Sequence, residues 1–132
     1  MGSGILFVSP HADDATVVSR MLGPLSVSIE HVANVKQARS RMQSGTYGVI
    51  LTAANLSDGT WLDVLNVARR VAPHAEVIVT DREADARFWA EALNLGAYDL
   101  IAQPFASGEV QRILGNACSR ACAQHKAVRA TV

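Results

Sequence analysis

The residues best equipped for chemistry are four aspartates. Asp13 and Asp14 follow the apolar run "ILFVS" by about one helical turn, Asp58 lies in "NLSDG", and Asp81 follows "VIVT". Carboxylates gathered at the ends of neighbouring strands, with His11 beside them, offer the hard oxygen ligands that a divalent cation or a metal-held phosphate requires. The plainer reading makes Asp13 and Asp14 helix caps and Asp58-Gly59 a turn. The second place to look is residues 47–59, "YGVILTAANLSDG", an apolar strand running into a polar turn. Its mouth carries Thr52, Ala53 and Ala54: one hydroxyl and two methyl groups. Cys118 and Cys122 are four residues apart, on one face of a helix. That spacing is poor for a disulfide, and two ligands alone do not close a zinc site, so both read as small buried hydrophobes. His31, His74 and His125 fall on a strand edge, a loop and a tail, where surface histidines are the expectation. "SPHADD" has no Gly-x-Gly-x-x-Gly pattern, and no Gly-x-Ser-x-Gly elbow occurs.

The 132 residues suit one domain, spanning 1–132 with a core over about 4–122 and a polar tail over 123–132. Apolar residues make up 49% and charged residues 18%, too apolar for disorder. Twelve basic and twelve acidic side chains balance, so no cationic excess draws the chain to nucleic acid or an anionic membrane. No apolar run reaches the length of a membrane span, and "MGSGILFV" has no basic region or cleavage site of a signal peptide. A cytoplasmic location is expected.

The elements alternate. Apolar runs at 5–9, 47–53 and 75–80 read as buried strands, 26–32 as a half-exposed strand and 97–103 as a short one. Between them lie amphipathic segments at 13–23 (Val17, Val18, Met21 and Leu22 inward), 35–44 (capped by Asn34, with Val35, Ala38 and Met42 inward), 60–71 (Leu62, Leu65, Val67 and Ala68 inward) and 83–96, with a last helix near 107–124 built on Val110, Ile113, Leu114 and Ala117. Five β-α units predict an α/β fold: a doubly wound, mostly parallel five-stranded sheet with helices on both faces. Ligands of such sheets bind at the carboxyl ends of the strands, here Ser9–Pro10, Thr52–Ala54, Thr80–Asp81 and Gln103–Pro104.

Four stretches, "ILFVSPHADDATVVSRML", "GVILTAANLSDGTWLDVL", "VIVT" and "EALNLGAYDLIAQPF", together resemble the receiver domain of bacterial response regulators, the CheY-like (flavodoxin-like) fold. The resemblance implies a strand order 2-1-3-4-5 and a role in two-component signal transduction, where a phosphorelay places a phosphoryl group on an aspartate. It also implies what is missing. The acceptor falls on Ala53, the acidic magnesium-binding pair on Ser9 and Pro10, the lysine on Gln103, and the aromatic switch residue on Leu100; Thr80 alone matches. A methyl group cannot attack phosphorus, a neutral serine and a proline make a poor magnesium site, and Gln103 brings no charge to a transferring phosphoryl group.

The expectation is therefore a degenerate, non-phosphorylatable receiver: not an enzyme, without a cofactor or metal, acting by contact with a protein partner of a signalling pathway. The resemblance implies that partners or a second copy dock on the face of the fourth helix, fifth strand and fifth helix, where Phe88, Trp89, Leu93, Tyr98, Leu100 and Phe105 fall. Trp61, beside the third strand, is placed to cover the vacated site or to pack in the core. Two alternatives stand beside this reading: a receiver phosphorylated at a rebuilt site of Asp13, Asp14, Asp58 and Asp81, and a small-molecule-binding flavodoxin-like domain.

Overall fold

The computed structural model describes residues 4–25 and 27–130, with side chains as far as Arg120. Five strands form one parallel sheet: β1 (Ile5–Val8), β2 (Ile29–Val32), β3 (Val49–Ala53), β6 (Glu76–Asp81) and β7 (Asp99–Ala102), in the order β2-β1-β3-β6-β7. This is the expected 2-1-3-4-5 order counted over the sheet strands. β4 (Asn55–Leu56) and β5 (Gly59–Thr60) are a two-stranded antiparallel hairpin that breaks the loop after β3. The helices are α1 (Ala12–Met21), α2 (Val35–Ser44), α3 (Trp61–Val71), α4 (Ala86–Leu95) and α5 (Ser107–Ala130), and a 3-10 turn spans Gly23–Leu25.

The period-2 alternation of a strand sorts the apolar residues onto two faces. Leu6, Val8, Ile50, Val77, Val79 and Leu100 point to one side and pack with α2, α3 and α4 residues. Ile5, Phe7, Val49, Leu51, Ile78 and Ile101 point to the other and pack against Val18 and Leu22 of the α1 end and Val110, Ile113, Leu114 and Ala117 of α5. Burial on both sides explains why "ILFV" and "VILT" read as unbroken apolar runs rather than alternating ones. Edge strand β2 is half-buried over Ile29–His31.

Several boundaries and faces differ from expectation. Val17 and Leu62 are exposed, and Val18 and Val64 take the inward positions. Val17 lies about 100° round the helix from Val18, and Leu62 about 200° from Val64, so each turns away from the sheet when its neighbour packs on it. α4 begins at Ala86, because Asp85 is its cap and accepts a hydrogen bond from the Phe88 amide at 2.8 Å. Asp13 and Asp14 do not cap α1. The cap position is His11, which makes no side-chain cap bond, and the two aspartates lie in the first turn, where their charge still suits the helix dipole. Asn34 does cap α2, accepting from the Gln37 amide at 2.9 Å. The α5 backbone continues to Ala130, past the expected end near 124, as no glycine or proline interrupts it after Gly115. Cys118 is buried, which pushes its thiol pKa up; the side chains of Cys122 and His125, and residues 131–132, lie outside the described residues.

Candidate functional site at the strand ends

The register of the sheet brings the strand-end positions together. Ala53 closes β3 directly across from Thr80 on β6, and Thr80 in turn pairs with Ile101 on β7. Val8 pairs with Thr52, so Ser9 follows at the same level. Ser9 is buried, its amide bonded to the Val32 carbonyl at 3.0 Å. Its hydroxyl oxygen accepts from the His11 amide at 3.1 Å, which folds residues 9–11 back on themselves. Pro10 is exposed. His31, one strand over, is half-buried: Nε2 lies 2.8 Å from the Ser9 carbonyl oxygen, and its ring stands edge-on to Phe7 at 6.3 Å. It braces the end of β1 rather than lying free on an edge.

The other polar groups are similarly engaged. Thr52 is buried on the face opposite Ala53 and donates to the Ala53 carbonyl at 3.0 Å. Thr80, fully buried, donates to the Ile101 carbonyl at 2.8 Å, and Gln103 Nε2 donates to the Thr80 hydroxyl at 3.2 Å. The Gln103–Pro104 bond is cis. Among the described residues, no buried side-chain nitrogen or oxygen is left without a partner. Beside these positions lies an open cleft of about 530 Å³, lined by Asp14, Val17, Arg82, Gln103, Pro104 and Phe105.

The four aspartates do not converge. Asp58 faces α2: Oδ1 accepts from the Val35 amide at 2.8 Å and Oδ2 from the Lys36 amide at 3.1 Å. These bonds, that to Val35 foremost, hold its carboxyl below the usual carboxylate range. Asp58 thus satisfies two of the free amides at a helix start that is distant in sequence. Its position before Gly59 signals only a turn, so nothing in the sequence pointed to this partner. Among the described residues, no three histidine, cysteine, aspartate or glutamate side chains are grouped to hold a metal ion.

Of the six residues expected on the docking face, Trp89 is the exposed one, at 47%, with its indole N–H donating to Asp99 Oδ1 at 3.1 Å. Phe88, Leu93, Tyr98 and Phe105 are half-buried. Arg120 lies 6.0 Å above the Tyr98 ring. Leu100 is a correction: it is buried among the α3 and α4 residues, because β7 directs it to the same side as Val79. Trp61 is also buried, at the start of α3, its ring 6.5 Å from that of Phe88.

An open parallel sheet in this strand order, wrapped by five helices, with its candidate site at the carboxyl strand ends, defines a flavodoxin-like α/β domain. The chain belongs to the response regulator receiver domain family, whose model matches residues 5–114. It is 24% identical over 112 residues to the response regulator protein PilR of Pseudomonas aeruginosa, covering 85% of this chain and 25% of that protein; the chain thus spans about a quarter of that relative. Two solved structures place the likeness in space. The receiver domain of the sensor histidine kinase PA1611 from Pseudomonas aeruginosa, with magnesium in its active-site cleft, superposes with a TM-score of 0.77 at 26% identity over 90% of this chain and 99% of that one. The beryllofluoride-activated NtrC4 receiver domain dimer gives 0.81 at 17% identity over 90% and 98%. Among the described residues, no helix is long and apolar enough to cross a membrane.

Proposed function

We propose that this receiver domain has lost the chemistry of phosphoryl transfer and works in two-component signalling through contact with other proteins. The observation that carries the reading is the set of side chains at four adjacent strand ends. Ser9, Pro10, Ala53 and Gln103 stand there, with Thr80, and supply neither a nucleophilic carboxylate nor a cation cradle. Phosphoryl transfer asks a protein chiefly for positioning and charge stabilisation, and these residues bring no charge. Magnesium seeks octahedral oxygen coordination, usually through one or two carboxylates. The Ser9 hydroxyl already accepts from His11, Pro10 has no side-chain donor atom and Ala53 has none, so the residues present do not fit that ion. The hydroxyl of Thr80, the position the family keeps, is taken up by Ile101 and Gln103.

The face formed by α4, β7 and α5 is the proposed contact surface. Trp89 is a large exposed anchor there, of the type favoured at interfaces, and the NtrC4 receiver is described as a dimer. The site reading is tested by thermal melting with and without millimolar magnesium and beryllofluoride. The midpoint is expected to stay put. A rise of several degrees with both additives present would mean that a phosphate-like group and its cation are held after all.

A further inference from the structure

α4 is thinly anchored. Ala92 is its one fully buried residue, whereas α3 buries Trp61, Val64, Leu65, Val67 and Ala68. A single methyl group gives little apolar area to fix a three-turn helix. Besides its packing on β7, where the Trp89 indole donates to Asp99 Oδ1 at 3.1 Å, two side-chain ties run to α3. At the first turn of α4, half-buried Phe88 packs against buried Trp61, ring centroids 6.5 Å apart and planes at 51°. At the last, Arg69 Nη2 donates to the Leu95 carbonyl at 2.9 Å, a charge-assisted bond at the negative end of the helix dipole. Gly96 follows with φ 116°, and a Cβ there would collide with the Arg69 guanidinium, so glycine and arginine fit each other.

Phe88 and Leu95 lie two turns apart on α4, and Trp61 and Arg69 lie just over two turns apart on α3. Ties at both ends resist sliding and tilting, which a single tie would not. We infer that Trp61 and Arg69 form a two-point clamp by which α3 holds α4, with the exposed Trp89, in one position. The consequence for partner binding rests on the reading of the α4–β7–α5 face as a contact surface; the clamp itself does not.

Amide hydrogen exchange on the full chain tests it, with the variants Arg69→Gln and Phe88→Leu. Arg69 is solvent-exposed, so its replacement leaves the core intact. In each variant, amides over 88–96 are expected to exchange roughly tenfold faster, the factor for losing one hydrogen bond to a charged group or comparable packing. Those of α2, β1 and β3 should keep their rates. Unchanged exchange in α4 of Arg69→Gln, or an acceleration shared equally by the whole sheet, would overturn the clamp. The measurement uses neither phosphate donor nor partner. A negative result therefore leaves the proposed function standing, and a phosphorylated chain would leave the clamp standing.

Discussion

At the scale of single residues, Asp58 and Tyr47 carry the clearest electrostatic consequences. The amides of Val35 and Lys36 favour the ionised form of Asp58, so its folded pKa is depressed. A depressed carboxyl contributes stability above its unfolded value, near about 3.9, and loses that contribution as pH falls through the lower folded value. Asp58→Asn is therefore expected to be less stable than the parent at neutral pH. The gap should close in acid, where both side chains are neutral, and narrow in high salt. Denaturation midpoints across the acid range check this, and a gap constant down to strong acid would contradict it. Tyr47 shifts the other way. Burial, then its hydrogen bond to Glu30, pushes its pKa up to about 12, although Arg41, 3.5 Å from Glu30, pulls against the shift. A raised pKa means stability present below about 10 and lost as pH rises through the folded value. In a Tyr98→Phe variant, which leaves Tyr47 as the one tyrosine, phenolate absorbance should rise with a midpoint near about 12. A midpoint at the ordinary value would remove the Tyr47–Glu30 bond from the account.

At the scale of elements, the loops decide what the strands present. The β4–β5 hairpin, the Asp58 bonds to α2, and the Thr60–Asp63 capping box of α3 tie down every part of the connection after β3. The α4 end is set by Gly96, whose φ of 116° lies in the left-handed region. Gly96→Ala is expected to destabilise by at least about 1–2 kcal/mol from backbone strain alone, and the displaced Arg69 adds to that. Urea unfolding at unchanged slope measures it; a loss below half that range would show that the turn adapts. The strands were legible in the sequence because burial on both faces leaves an unbroken apolar signature, as in "ILFV". The helix cap at Asn34 was legible because its partner, the Gln37 amide, lies three residues on; Thr60, read as the first helical residue, proved to be the cap of α3. What was not legible depends on distance along the chain. Asp58 meets α2 across 23 positions, and Arg69 meets Leu95 across 26. The inward choice between Val17 and Val18 needed the packed sheet to settle it.

At the scale of the whole molecule, the receiver family membership and the strand-end residues pull in different directions, one toward phosphate switching and the other away from it. The positions themselves were visible in the sequence, since strand ends follow from the β-α alternation. How their polar groups are spent was not, because the Thr80–Ile101–Gln103 hydrogen bonds join separate strands. Restoring one part should not restore the whole: Ala53→Asp supplies a carboxylate yet leaves Ser9, Pro10 and Gln103 in place, so it is expected to remain unphosphorylated under conditions that label an active receiver. The measurement that bears most directly on the account is the intact mass of the natural chain after incubation with acetyl phosphate and magnesium. An unchanged mass is expected; an adduct of about 80 Da, one phosphoryl group, on any residue would contradict the loss of phosphoryl chemistry.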